Sequence, residues 1–409
     1  MSPPSTETYP PHPERQTHLT IIAALLSMVG PLSINTYLPS FPAIEAEFNI
    51  SRTLLSQSLG LFLIAFAIST IIWGPLADRI GRRLVILTSL VLYVLASIGC
   101  AFASDANVFI LMRILQGLGA SGGFIASRAM IRDAHGAEAA HKAISQLTLI
   151  LAVAPAIAPV LGGWLHEHFG WRSIFWFLTS FGVLLIGLVL FIKETLHHEH
   201  RQSFHPIAVI RVYGRTLLHR QFLKLIFTFS LIFGGLFVYI AGAPTVIYDF
   251  LGLGSNDFSF QFIPMVGGMM LGAFTSSRLS HRWPRQRTVM LGLSLVALAV
   301  LLNLGFAVFF EAGILTVIGP QVIYAFGLNI AMPALTILAL DCFPHNRGSA
   351  ASIQGFLQFF VNAGVASVVL PLLHSDWLNF ALAQLVFLLL ALWFHIERAA
   401  ATRTNRSFL

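Results

Sequence analysis

Gly74-Pro75-Leu76-Ala77-Asp78-Arg79-Ile80-Gly81-Arg82-Arg83 lies between two apolar runs, Leu59 to Trp73 and Leu84 to Ala101, each long enough to cross a bilayer. Asp78, Arg79, Arg82 and Arg83 put four charges within six residues. Such a density cannot sit in hydrocarbon, so the stretch reads as a tight loop at one membrane face. Gly81 permits a sharp reversal, and Gly74 allows two helices to approach closely. Asp78 is placed to meet the positive N-terminus of a neighbouring helix or to pair with a nearby arginine. The arginines favour the cytoplasmic side. A basic turn that only oriented two helices would need neither Asp78 nor the glycines.

Composition agrees with a chain that crosses the membrane many times. Of 409 residues, 56% are hydrophobic and 10% charged, and the mean hydropathy is +0.79, far from the values of a soluble protein. The formal charge of +7 reflects where the basic residues fall and calls for no nucleic-acid partner. Cys100 falls in a predicted span and Cys342 in a predicted cytoplasmic loop; no disulfide is expected, and neither has metal-ligand company. The first 18 residues are polar and proline-rich, without the features of a cleavable signal peptide, so the first apolar run is expected to remain a span.

Apolar stretches of about 20 residues fall at 19–38, 54–74, 84–103, 107–130, 144–164, 172–192, 222–247, 259–279, 288–310, 313–340, 348–371 and 377–397. These twelve predicted spans make an all-α polytopic membrane protein. With the N-terminus cytoplasmic, all but three of the 24 Lys and Arg fall in cytoplasmic loops, tails or helix ends. Arg52 and Arg172 lie on the other side and Arg113 lies inside a span. That asymmetry fixes the expected topology, with both termini inside. The expected division is a tail 1–18, a six-helix half 19–192, a linker 193–221, a second six-helix half 222–397 and a tail 398–409.

The linker contains Lys193, Arg201, Arg211, Arg215 and Arg220, the run His197-His198-Glu199-His200, and His205. It reads as a solvated connection touching lipid headgroups, with 204–220 as a surface helix; a metal site on the histidines is the other reading. The loop Gly272 to Arg287 is basic like Gly74 to Arg83, and Arg128 to Gln146 matches Leu340 to Gln354 in position. Such a duplication suits a rocking carrier with its substrate site at the interface of the halves.

Arg113 is the one Lys or Arg inside a span, in Leu111-Met112-Arg113-Ile114-Leu115-Gln116-Gly117-Leu118-Gly119. A buried guanidinium must find acceptors, so it marks a cavity or pathway. Gly117, Gly119, Gly122 and Gly123 thin the helix beside it. Span five contains Ala154-Pro155-Ala156-Ile157-Ala158-Pro159-Val160-Leu161-Gly162-Gly163. Its prolines bend the helix and free carbonyls, and its glycine pair permits tight contact. Gln354, Gln358 and Asn362 recur at four-residue steps, a polar stripe on one helix face. Gln57, Gln146, Tyr239, Asp249, Tyr324 and Asn329 complete the candidate cavity wall, and some of the 35 phenylalanines are expected to line it.

These residues resemble the major facilitator superfamily. The Gly74 to Arg83 loop fills its signature Gly-x-x-x-Asp-Arg-x-Gly-Arg-Arg. The sequence around Arg113 is similar to its span-four arginine motif, which is implicated in proton coupling. Span five is similar to the antiporter motif of drug exporters, with Ala154 where glycine is usual. Pro31-Leu-Ser-Ile-Asn-Thr-Tyr-Leu-Pro39, Arg128-Ala-Met-Ile-Arg132-Asp133, Trp171-Arg172-Ser-Ile-Phe175, Glu194-Thr-Leu196, Phe237 to Pro244 and Gly348 to Gly355 resemble the bicyclomycin- and chloramphenicol-resistance subfamily (Bcr/CflA). The resemblance implies a monomeric inner-membrane carrier with twelve transmembrane helices in two six-helix halves.

It further implies efflux of a small amphipathic or lipophilic, drug-like molecule by alternating access, coupled to proton influx, with no cofactor, no metal and no enzymatic activity. Gly74, Asp78, Arg79, Gly81, Arg82 and Arg83 would form a conformational clamp. Asn35, Tyr37, Arg113 and Gln116 would serve coupling and the cavity, and Pro155, Pro159, Gly162 and Gly163 a gate. One departure bears on coupling: the subfamily usually has aspartate where this chain has Asn35, which cannot titrate. Export of an endogenous metabolite or siderophore, or a proton-independent facilitator or exchanger, are the alternatives. An intramembrane enzyme is disfavoured because no span contains paired carboxylates, a metal cluster or a Ser/His arrangement.

Overall fold

A computed structural model describes residues 13–134, 137–196, 214, 216, 218–343, 347–373 and 376–406. Among them the regular structure is helical throughout, the form in which each span satisfies its own backbone in lipid. The first half contains α1 (Pro13–Asn35), short α2 (Phe41–Phe48), α3 (Arg52–Ile80), α4 (Arg82–Ala101), α5 (Ala106–Ala134), α6 (Ala137–Phe169) and α7 (Arg172–Leu190). The second contains α8 (Arg220–Ala241), α9 (Phe258–Ser280), α10 (Arg285–Phe309), α11 (Ile314–Leu340), α12 (Arg347–Gly364) and α13 (Trp377–Arg406). Beyond α12 the chain continues through a wide turn at Val365–Val369 and Leu370–Leu372.

Eleven helical stretches among the described residues are long and apolar enough to cross a membrane. The 33-residue α6 carries predicted span 144–164 and makes the twelfth; many of its side chains before Val153 lie outside the described residues. Most of the predicted linker helix at 204–220, all but 214, 216 and 218–220, and the histidines of 197–205 also lie outside them.

The structure corrects the reading of 74–83 as a loop. Helix α3 runs to Ile80 with Pro75 inside it, and only Gly81, at φ 109°, makes the turn. A 29-residue helix is about 44 Å long against a hydrocarbon core of about 30 Å. Its last two turns therefore stand clear of lipid, where Asp78 and Arg79 are solvated without unwinding the backbone. At the other end Ser51 caps α3, its hydroxyl accepting from the Leu54 amide at 3.3 Å.

In the first half α5 is the central helix, packed by α1, α3 and α4, with α7 against α4. In the second half α11 takes that role, packed by α8, α9 and α10, with α13 against α8 and α10. Glycines set these crossings. A Cβ on Gly119 would lie 2.6 Å from the Tyr93 amide, and one on Gly327 2.8 Å from the Gly292 carbonyl, so α5 lies on α4 as α11 lies on α10. The duplication seen faintly in the loops is thus carried by the helix crossings. Arg113 falls in the second turn of α5 as Gln321 does in α11.

Candidate functional site

The charged cluster around 74–83 ties the first half together. Arg82 pairs with Asp78 at 2.5 Å and with Asp133 of α5 at 3.0 Å. Arg83 donates to the Leu190 carbonyl at 2.7 Å and to Val189 at 3.3 Å, closing the C-terminus of α7. Glu194 accepts the backbone amides of Arg82 and Arg83 at 3.0 and 3.1 Å, so it caps the N-terminus of α4. Asp78 therefore takes the arginine of its two expected partners, and Glu194 takes the helix end. Gly74 makes only ordinary contact, a Cβ there lying 3.8 Å from Ile125; the close approaches are at Gly117 and Gly122 instead. Arg79 is exposed. The cluster's partners from Asp133 and Glu194 could have been sought among the acids that end neighbouring spans. Glu194→Ala is expected to destabilise the protein by about 1 kcal/mol through loss of the cap, measured as a lowered thermal midpoint in detergent with transport otherwise retained.

Arg113 is fully buried, at 0% exposure. Its guanidinium lies between two rings, 4.2 Å from the centroid of Tyr37 and 4.5 Å from that of Phe62. Nη1 donates to Gln116 Oε1 at 2.5 Å and to the Ser33 carbonyl at 3.1 Å, while Nε and Nη2 have no partner. Gln116 passes the network to Ser97 of α4 at 2.8 Å. Asn35 does not bond to Arg113: its amide donates to the Pro31 carbonyl of its own helix at 2.9 Å, and its Oδ1 is buried without a partner. The Tyr37 hydroxyl is likewise buried and unpartnered. Ring stacking and the Gln116 carbonyl stand in for the counter-ion a buried arginine normally requires.

The second half has a neutral counterpart that sequence reasoning missed. Asn303 of α10 donates to the Tyr239 hydroxyl at 2.8 Å and to Gln384 of α13 at 2.9 Å. Gln384 donates to Gln321 at 2.7 Å, and Trp377 to Asn303 at 3.2 Å. Asn303, Gln321 and Gln384 are single polar residues in apolar runs, and that isolation is the signal by which they could have been found. Tyr239 and Tyr324 are fully buried here, the latter donating to the Ile232 carbonyl at 2.8 Å. Both belong to the packed interior of the second half and not to a cavity wall. A phenol inside an apolar bundle stays where its hydroxyl finds a partner.

On α12, Gln354 bonds to Thr336 at 2.9 Å, Gln358 is half-buried, and the Asn362 Oδ1 is buried without a partner. Asn329 turns back on its own helix, donating to Ala325 at 3.0 Å. Gln57 is half-buried on α3, and the Gln146 side chain lies outside the described residues. Among the described residues no group of three or more His, Cys, Asp or Glu could hold a metal ion.

The halves join at the end away from Gly81. Gly163 of α6 meets the segment before α9 so closely that a Cβ would lie 2.1 Å from the Ser255 carbonyl. Beside it Ser255 donates to Glu167 at 2.6 Å. Gly162 faces its own half, against the Thr36 carbonyl. Gly60 of α3, absent from the sequence reading, takes the Ser367 side chain: a Cβ would lie 1.8 Å from its hydroxyl. Arg52 pairs with Glu45 at 2.8 Å and, across the halves, with Asp249. Tyr248 donates across to the Pro39 carbonyl at 2.5 Å. Asp249 thus belongs to this outer junction and not to a cavity. A cleft of about 200 Å³, lined by Phe41, Arg52, Ser56, Gly242, Thr245 and Phe380, opens there.

Midway, Phe359 of α12 packs on Phe66 at 4.6 Å and edge-on against Phe124 at 6.1 Å between ring centroids. Beyond this aromatic contact, toward the Gly81 end, no hydrogen bond or ion pair among the described residues crosses between the halves. Arg285 and Arg347 both pair with Asp341, within the second half. Pro155 and Pro159 lie inside α6 on the way from this end to the Gly163 contact.

A family model described as Major Facilitator Superfamily matches residues 23–367. Among curated relatives, an MFS-type transporter of Bacillus subtilis named YdgK is 32% identical over 86% of this chain and 88% of its own. A bicyclomycin resistance protein homolog of Haemophilus influenzae is 27% identical over 87% and 90%. The multidrug resistance protein MdtL of Escherichia coli is 27% identical over 83% and 84%. Among solved structures, the inward open conformation of the xylose transporter XylE from E. coli matches with a TM-score of 0.74 at 17% identity, over 93% of this chain and 95% of that one. An inward-facing, occupied bacterial homolog of the human lysosomal transporter Spinster matches with 0.74 at 15% identity, over 94% and 96%.

Proposed function

We propose that this chain, which belongs to the major facilitator superfamily, exports small amphipathic or lipophilic, drug-like molecules across a bacterial inner membrane by alternating access. The observation that carries the reading is one-sided joining. Every polar contact between the halves among the described residues lies at the end away from Gly81. Basic residues gather at the Gly81 end, which makes it the cytoplasmic one. The described conformation is then open inward, ready to load from the cytoplasm. Resistance proteins among the relatives support an exporter over an importer.

The termini, the tails 1–18 and 398–409 and the linker 193–221 lie on the cytoplasmic side in this proposal, and the chain works as a monomer. When the inner ends approach, Asp78, Arg79, Arg82 and Arg83 meet the second half and hold the outward-facing state. Asp78→Asn is expected to lower export by roughly fivefold, the effect of about 1 kcal/mol on a two-state balance, with folded yield unchanged. Unaltered export would remove the clamp from the mechanism.

Family membership favours coupling to protons, and Asn35 favours a proton-independent exchanger, because the described carboxylates all lie in loops or near helix ends. Proteoliposomes loaded with a panel of drugs and metabolites, with and without an imposed pH gradient, test both readings. Drug movement opposed to proton flux supports antiport, and movement indifferent to the gradient supports exchange. Failure of every compound to move would contradict export itself.

A further inference from the structure

We infer that Arg128 binds an anionic oxygen group of the substrate, so that the transported class comprises amphipathic acids with a flat apolar body. The inference rests on the export reading above and narrows it. Arg128 lies one helical turn beyond Phe124 on α5, its guanidinium 4.8 Å from the ring centroid of Phe124. Phe124 in turn packs edge-on against Phe359 of the other half. Arg128 therefore begins where the aromatic contact between the halves ends, on the side where they part. Its side chain is exposed although Ser127, Ala129 and Met130 around it are buried.

Arg128 is uncommitted: among the described residues it has no hydrogen bond and no ion pair. Arg82 is held by two carboxylates, Arg83 by the end of α7, and Arg285 and Arg347 by Asp341. The described acids at this end are engaged by those same groups. A solute entering between the halves beside Phe124 and Phe359 thus meets a guanidinium that no carboxylate holds. Arg132, one turn further, is also exposed, but its place near the helix end is accounted for by the membrane surface. A guanidinium over a ring, with no other partner, has N–H groups free for a carboxylate, while the ring's neighbourhood accepts an apolar body.

Equilibrium binding of 2-naphthoate and neutral 2-naphthamide to the purified full chain tests the inference, with Arg128→Gln and Arg128→Lys compared at equal folded fraction. The acid is expected to bind at least roughly tenfold more tightly than the amide, and Arg128→Gln to weaken the acid alone by roughly tenfold to hundredfold. Arg128→Lys should retain part of the difference, since it keeps the charge and loses the fork. Equal affinity for acid and amide, binding of neither, or an equal loss of both in Arg128→Gln would overturn it. If the acid binds through Arg128 yet crosses no proteoliposome membrane, export fails as a reading and the binding role stands.

Discussion

Gly163→Leu is expected to reduce transport by roughly a hundredfold or more while leaving each half folded. Gly163 sits where α6 of the first half touches the chain before α9 of the second, with room for no side chain: a Cβ would stand 2.1 Å from the Ser255 carbonyl. That contact exists only while the outer ends are joined, so a leucine penalises the inward-open state and spares the interior of either half. Overpacking of this kind costs about 3 kcal/mol, roughly a hundredfold in population. Transport should fall while a cysteine at exposed Thr53, on the outer cleft, reacts faster with an impermeant maleimide. Gly162→Leu is the contrast, because Gly162 meets Thr36 of its own half and should lower stability. Normal transport by Gly163→Leu would mean the outer junction does not open and close.

Arg113→Ala is expected to abolish transport and to destabilise the protein by about 3 kcal/mol. Removing the side chain leaves Tyr37 and Phe62 without the guanidinium between them and the Gln116 carbonyl without its donor, and losing one member of such a buried network costs about 3 kcal/mol. Arg113→Met separates the two effects. It refills the space between the rings, so stability should largely return, while the charge and its two unpartnered N–H groups do not. Transport at the normal rate by a folded Arg113→Met would confine Arg113 to packing. The measurement pairs thermal unfolding in detergent with initial transport rates.

What was legible in the sequence followed from properties that one residue carries by itself. Hydrocarbon excludes charge, so the apolar runs and the placement of 24 basic residues were enough to lay out the helices. Gly81 and the Gly162-Gly163 pair were recognisable because only glycine suits a turn at positive φ or a backbone in contact. Partnership was less legible. Nothing near Arg82 in the chain announces Asp133 or Glu194, which arrive from other helices. Nor does the chain announce that Asn35, expected beside Arg113, spends its amide on the Pro31 carbonyl of its own helix. Tyr239 and Tyr324 were placed on the cavity wall as polar groups within spans; their hydroxyls find partners inside the bundle instead. Gly60 escaped notice as one small residue among many, and only the approach of Ser367 shows its use.

Alternating access requires the two ends of the molecule to move in opposite senses. Spin labels at Ser51 and Asn256 report on the outer end and labels at Lys193 and Arg282 on the inner end, all four positions being exposed. Pulsed distance measurements in lipid nanodiscs, without and with a transported drug, should show the outer pair moving apart as the inner pair draws together. Distances that stay fixed, or that lengthen at both ends at once, would contradict the account.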